Sequence, residues 1–330
     1  MLAGKWRKQS VSLEPFHFDD MPMAHFRINV LPLASLALCT SMAAQSAESC
    51  LTPHIVVNVV DKQGKPVPGL APESFHVRAG DETVMVKSAQ TGAGTHRVVL
   101  LVDISGSINK SEQTWEMARI AAGNLLVAAP STIRVALVLF SDRVIDTIGF
   151  DRPPTDIVER LAKLENGKGR TAILDSIDYS LKLLQPAGLG DAIYIISDGG
   201  ENASKAHRSD VESKLLAQGI RLFAFVLQRN TYFATPEEAN GPTMLSDLTQ
   251  VTGGVVVDED SAAALDARPK LNAVLHRGYN QMAHFYDLQL SMPDRWTKKE
   301  RLRLEVVDQD AKKRKDVTVS YPQYLLPCPH

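Results

Sequence analysis

The sequence predicts an α/β protein in which a doubly wound, mostly parallel sheet is inserted between N- and C-terminal β-strands that pack together as a small β-sandwich. Three observations predict it. Val99-Leu100-Leu101-Val102 belongs to a continuous apolar run that stops on Asp103, the pattern of a strand buried on both faces of a parallel sheet. Between residues 95 and 280 such runs alternate with stretches of helical period, as expected of a parallel sheet with helices on both sides. Residues 50–92 and 281–330, in contrast, show strand patterns and polar turns without helical period.

The composition is that of an ordinary globular protein: 330 residues, 44% hydrophobic and 22% charged, with a formal net charge of -2. That balance excludes a nucleic-acid partner recognised through a general basic excess, since nothing would neutralise its phosphates. Residues 1–22 carry no motif and read as an extension or as the product of an early start site, because Met23 opens a second plausible beginning. Residues 23–47 follow the plan of a secretory signal peptide, with Arg27 ahead of an apolar run and small residues near Ser41, Ala43 and Ala47. The alternative, an uncleaved membrane anchor, would need a longer run than one interrupted by Pro32. Cys39 follows the bulky Leu38, a poor fit to a bacterial lipoprotein signal. Export to the periplasm or the extracellular space is therefore expected. Once the signal is removed, Cys50 and Cys328 remain, and they either form a disulfide joining the two ends or stay as free terminal thiols.

Taken in order, residues 54–60 are apolar and β-branched, 61–66 form a turn with Gly64 and Pro66, and two further strands at 75–77 and 83–87 flank a turn at 79–81. After a joint at 91–94 and the central strand comes a helix over 111–128, with Trp115, Ala118, Ala122, Leu125 and Leu126 on one face, Ser111 as cap and Pro130 as stop. Strands at 133–140 and 144–148 form a hairpin pair. Helices follow at 155–164 and 171–184, the second presenting Ile173, Leu174, Ile177, Leu181 and Leu184 together. The spacing continues with strand 192–196, helix 209–217, strand 222–227, helix 244–251, strand 254–257 and a helix from 261 towards 276. The tail returns to strands at 284–290, 301–307 and 317–321, and Lys312-Lys313-Arg314-Lys315 reads as a solvated hairpin tip.

In open α/β sheets, ligands collect outside the carboxyl ends of the strands. There the central strand ends in Asp103-Ile104-Ser105-Gly106-Ser107, one carboxylate followed by two spaced hydroxyls. A second buried strand ends in Ser197-Asp198-Gly199-Gly200, and Gly167-Lys168-Gly169-Arg170-Thr171 places a hydroxyl at the start of a helix after a glycine-rich loop. Two carboxylates and several hydroxyls supply hard oxygen donors with charge -2, which matches Mg²⁺, a cation that takes six oxygens at roughly 2.0–2.1 Å and usually retains waters.

These pieces resemble the von Willebrand factor type A (VWA) domain, a Rossmann-like fold, and its metal-ion-dependent adhesion site (MIDAS). Asp103, Ser105, Ser107, Thr171 and Asp198 fill the pattern, and Arg170-Thr171-Ala172-Ile173-Leu174-Asp175 and Ser197-Asp198-Gly199-Gly200-Glu201-Asn202 are similar to its surrounding words. The flanks narrow the resemblance to the exported bacterial VWA-related Acidobacteria-type group, through Val57-x-Val59-x-Asp61-x-x-Gly64-x-Pro66, the strand entry Thr252-Gly253-Gly254 and the tail Tyr321-Pro322-Gln323-Tyr324. The resemblance implies a cation, Mg²⁺ with Mn²⁺ or Ca²⁺ as alternatives, held by those five residues and completed by an Asp or Glu of a partner protein. Arg170 departs from the family's usual Gly, and its fixed charge would either weaken cation binding or draw an acidic ligand. Asp175 reads as a tie between the loop and its helix, with support of the metal ligands from behind as the alternative.

Catalysis, as a Mg²⁺-dependent hydrolase, is the less favoured alternative. A haloacid-dehalogenase-type phosphatase needs a second acid where Ser105 stands, and no nucleophile elbow or phosphate loop occurs. Gly167-x-Gly169-x-x-Ala172 follows a helix, so it fails as a dinucleotide fingerprint. The expected function is a non-enzymatic, cation-dependent protein-binding module. An envelope structural or assembly factor with a vestigial metal site is the alternative.

Overall fold

In the computed structural model the described residues are 52–92, 95–108, 112–129, 131–164, 167–227, 236–258, 268–292 and 296–327. The extension 1–22, the signal-like segment 23–47, Cys50 and Cys328 lie outside them. No helix among the described residues is long and apolar enough to cross a membrane.

The described chain runs through β1 (His54–Asp61), β2 (Phe75–Ala79), β3 (Glu82–Thr91), β4 (His96–Asp103), α1 (Glu112–Ala128), β5 (Ile133–Phe140), β6 (Val144–Ile148), α2 (Pro154–Ala162) and α3 (Ile173–Leu183). It continues with β7 (Ala192–Ser197), α4 (Arg208–Ala217), β8 (Arg221–Val226), α5 (Pro236–Val251), β9 (Val256–Asp258), α6 (Arg268–Ala283), β10 (Tyr286–Ser291), β11 (Glu300–Val306), β12 (Val317–Ser320) and β13 (Tyr324–Leu325). One sheet has the order β6-β5-β4-β7-β8-β9. It is parallel except for β6, which returns against β5 as a hairpin.

The uninterrupted apolar run of β4 now has a physical reason. Val98, Leu100 and Val102 face a core built with α1, α2 and α6, through Trp115, Ala118, Ile157, Leu275 and Met282. Val99 and Leu101 face the opposite core, built with α3, α4 and α5 through Ile173, Ile177, Leu215 and Leu248. Because successive side chains alternate between faces, a strand covered on both sides must be apolar at every position.

Two elements differ from expectation. The helix expected to begin at residue 244 starts at Pro236 and carries Gly241 and Pro242 in its interior. Locally that pair reads as a break, but a Cβ at residue 241 would lie 1.6 Å from the Gly199 carbonyl oxygen, so glycine permits a close backbone contact there. The helix expected from residue 261 is observed over Arg268–Ala283, and residues 259–267 lie outside the described set.

The two β-rich ends come together. Their strands interleave in a single antiparallel sheet of order β12-β1-β10-β3-β2-β11-β13, so that β10 lies between β1 and β3. Side chains from both ends of this order, Val57 and Val319 on one side and Leu302 and Leu325 on the other, share one core with Phe75, Tyr286 and Leu288. The sheet is therefore curled around its own apolar face.

The other face of β1 meets the α/β block. Asn58, 1% exposed, donates through Nδ2 to the carbonyls of Gln281 and His284 and accepts from Arg221 Nη1 at 2.7 Å. Arg221 also donates to the carbonyls of Gln281 (3.0 Å) and Met282 (3.2 Å) at the end of α6, and its guanidinium lies over the rings of Phe223 and Phe285. The tail adds a second tie. Gln323 donates its N–H to the Val251 carbonyl, and a Cβ on Gly253 (φ +79°) would fall 2.5 Å from the backbone of Tyr321. Thr252-Gly253-Gly254 and the Tyr321 segment, separate in sequence, thus meet in the fold.

Candidate metal site

Strand register assembles the first part of the site. β4 and β7 run parallel with Val102 opposite Ile196, so their ends carry Asp103 beside Ser197 and then Asp198. The Asp103 carboxylate accepts the Ser105 backbone N–H at 2.8 Å through Oδ1 and the Ser197 hydroxyl at 2.6 Å through Oδ2. The first contact folds the chain back over the strand end, the usual Asx-turn chemistry. It brings the Ser105 and Ser107 hydroxyls to 3.1 Å of each other.

Thr171 reaches the same edge on a loop held from both sides. The Gly106 N–H donates to the Gly169 carbonyl at 3.1 Å, and a Cβ at residue 167 would lie only 1.6 Å from the Ile104 carbonyl oxygen. Glycine at 167 is what lets these loops touch. On the far side, Thr171 N–H donates to Asn202 Oδ1 at 2.9 Å, and the Thr171 carbonyl accepts the N–H groups of Asn202 and Ala203. Asp198 accepts the Gly200 N–H at 3.1 Å. Asp103, Ser105, Thr171 and Asp198 are all buried, and Ser107 is partly so.

The electrostatics of this edge are costly without a counter-charge. Burial, followed by the charge of Asp198, pushes the Asp103 carboxyl up to about 7, against the lowering effect of its bonds from Ser197 and Ser105. No cationic side chain is among the influences on Asp103. The donor set fits a hard divalent cation, because carboxylate and hydroxyl oxygens are what such ions take and two carboxylates match their charge. No group of three or more His, Cys, Asp or Glu stands together among the described residues. A cation here would therefore complete its shell with the hydroxyls of Ser105, Ser107 and Thr171 and with water.

Sequence reasoning missed the residues that brace this edge. Ser197 donates to Asp103 while accepting the Gly199 N–H at 3.0 Å, and its position directly before Asp198 was the available signal. Asn202 fixes Thr171 as described, and Glu201 accepts the Leu174 N–H at the start of α3 together with the Ala203 and Ser204 N–H groups. Asp175 accepts the N–H groups of Lys205 and Ala206, the tie between helix and loop expected of it. Arg170 is exposed. Replacing Ser197 with Ala is expected to cost about 1–3 kcal/mol, since it leaves a buried carboxylate oxygen and the Gly199 N–H without that hydroxyl. Urea denaturation at pH 8 measures it, and a change below about 0.5 kcal/mol would show the bond to be dispensable.

Residues 98–201 match the von Willebrand factor type A domain. The matched segment runs from β4 through Glu201 and contains Asp103, Ser105, Ser107, Thr171 and Asp198. No curated protein matches the chain by sequence. Among solved structures, an aerotolerance-related membrane protein from Bacteroides fragilis is 14% identical with a TM-score of 0.43, covering 56% of this chain and 99% of its own. Proximal thread matrix protein 1 from the mussel byssus, with a zinc-occupied MIDAS motif, is 16% identical with a TM-score of 0.47, covering 61% and 50%. A von Willebrand factor type A protein from Catenulispora acidiphila is 10% identical with a TM-score of 0.44, covering 84% and 73%. All three likenesses are remote.

Proposed function

We propose that this chain is an exported, cation-dependent protein-binding module of the VWA-related Acidobacteria-type group, with Asp103, Ser105, Ser107, Thr171 and Asp198 as its MIDAS. VWA domains typically mediate protein–protein interaction. The observation that carries the reading is the buried pair Asp103 and Asp198 at the carboxyl edge of the sheet, with a pKa pushed up to about 7 at Asp103. Two ionised carboxylates held this close out of water are unfavourable alone and favourable around a dication.

Asp103 and Asp198 would supply the charge, and the Ser105, Ser107 and Thr171 hydroxyls would fill positions without over-neutralising it. Bound Mg²⁺, or Mn²⁺ or Ca²⁺ in its place, offers an electrophilic position for an Asp or Glu carboxylate of a partner. The rest is positioning: the contacts of Ser197, Asn202 and Gly167 hold the donors in place before a ligand arrives. Export rests on the composition of residues 23–47, as does the expectation that Cys50 and Cys328 can pair.

Thermal unfolding in Mg²⁺, Mn²⁺ and Ca²⁺ tests the reading. A ligand bound only by the folded state must raise its stability. At pH 8 and a cation concentration 100 times its Kd, the gain is about 2.7 kcal/mol, several degrees in Tm. Asp103→Ala is expected to show none of it. No response of the unsubstituted protein to any of the three ions would favour a vestigial site in a structural or assembly factor.

A further inference from the structure

We infer that the metal edge is built for a polyacidic partner segment, one in which a metal-binding carboxylate is flanked by further acids that Lys168 and Arg170 receive; this rests on the proposed cation site. The sequence of the loop is Gly167-Lys168-Gly169-Arg170-Thr171. Lys168 and Arg170 are exposed, and no ion pair among the described residues engages either of them.

Charged loops are usually just solvated, but the backbone here separates this one from that case. Each cationic residue stands between two fixed points. Gly167 abuts the Ile104 carbonyl, Gly169 accepts the Gly106 N–H, and Thr171 is held by two hydrogen bonds with Asn202 and one from Ala203. The Cα of Arg170 is one peptide, about 3.8 Å, from that of the proposed ligand Thr171. The side chains remain mobile, but their attachment points are fixed at the rim, so less order is lost when a ligand is gripped.

The acids that might quench these charges have other roles. Asp142, near Gly169, is 3.1 Å from Arg143. Glu201 and Asp175 accept backbone N–H groups of the neighbouring loop. Lys168 and Arg170 thus stand, without an ion-pair partner among the described residues, beside a centre that would take an anion once its cation is bound. A single acid satisfies the centre alone, whereas an acidic cluster satisfies both. Positive charge beside the centre also opposes the cation itself, so removing it should move cation and peptide affinities in opposite directions.

Fluorescein-labelled nonapeptides of Gly, Ser and Ala provide the test, one with a single central Asp and one with that Asp flanked by two Glu. Anisotropy is measured in Mn²⁺ at 50 mM salt, and Mn²⁺ binding is followed separately by thermal shift without peptide. The expected result is about ten-fold tighter binding of the triacidic peptide to the unsubstituted protein, the size two exposed charge pairs can supply. That preference should shrink at 300 mM salt. In K168A/R170A it should fall to near one while the Mn²⁺ response is kept or strengthened, and K168R/R170K should preserve it.

Equal binding of the two peptides by the unsubstituted protein, or of neither, overturns the inference. So does an unchanged preference in K168A/R170A with Mn²⁺ binding intact, which leaves the cation site standing. Loss of the Mn²⁺ response in K168A/R170A but not in K168R/R170K would also overturn it, by showing that the charges serve the site's integrity. An unsubstituted protein as indifferent to Mn²⁺ as Asp103→Ala defeats the cation reading and this inference with it.

Discussion

Replacing Asp103 with Asn is expected to stabilise the metal-free protein at pH 8 and to abolish its response to Mg²⁺. In the folded state the Asp103 carboxyl titrates near 7 because it is buried and faces Asp198, against the ordinary value of 3.8. A folded-state pKa raised above the unfolded one means that the folded protein holds the proton more tightly. The stability contributed by that proton is fully present below about pH 4 and is lost as the pH rises through 7. At 1.36 kcal/mol per unit, up to about 4 kcal/mol is at stake.

Asn is neutral at every pH, can accept the Ser105 N–H and can donate to the Ser197 oxygen, which has room for a second donor. The variant should therefore recover about 1–3 kcal/mol at pH 8 and flatten the pH dependence between 4 and 8. Cation binding should run the other way, strengthening from pH 5.5 to 8 as the Asp103 carboxyl ionises. Urea midpoints in EDTA across that range decide the matter. A variant less stable than the unsubstituted protein at pH 8, with an equally steep pH profile, would mean that the Asp103–Asp198 repulsion is offset by something else in the fold.

The second large effect belongs to Arg221, far from the metal edge. Its side chain is fully buried, and in place of a carboxylate it is neutralised by Asn58 Oδ1 and by carbonyls that include the C-terminal end of α6, where the helix dipole is negative. Burial lowers its pKa to about 9, leaving it protonated at neutral pH. Arg221→Ala is expected to cost about 3–5 kcal/mol, through lost packing between Phe223 and Phe285 and through stranded acceptors on β1 and α6. Arg221→Lys should be intermediate, since one ammonium cannot reproduce the fork that spans Asn58 and two carbonyls. A urea midpoint for Arg221→Ala that translates into less than about 1 kcal/mol would show that the curled sheet and the α/β block are held by apolar contacts alone.

The central sheet was legible because a strand covered on both faces must be apolar throughout, and β5 and β6 were read to the residue. The candidate residues stood out because Asp103, Ser107 and Asp198 belong to short words at strand ends. What stayed hidden depends on contacts between distant residues. Nothing local in Ser197 shows that its hydroxyl meets Asp103 on another strand, and Gly241-Pro242 reads as a break until Gly199 lies against it. The two-residue β13 is too short to show a period, and it pairs with Glu300 and Arg301. The arrangement of the β ends was hidden for the same reason: β-branched composition marks His54–Asp61 as a strand and alternation marks Tyr286–Ser291, and nothing in either says that they are neighbours.

That neighbourhood carries a consequence for synthesis. Both strands that flank β1, β10 and β12, come from the far end of the chain. Throughout production of the α/β block, therefore, Ile55-Val56-Val57-Asn58-Val59-Val60 has neither native edge available, and a segment so β-branched and uncharged is a template for pairing with other chains. The α/β block can nucleate on contacts between nearby elements, whereas the curled sheet must wait for a loop closure of more than 200 residues. Its completion is expected to be the slow and aggregation-exposed step of folding, and a helper that shields β1 until the tail arrives would act on the molecule at its most vulnerable moment.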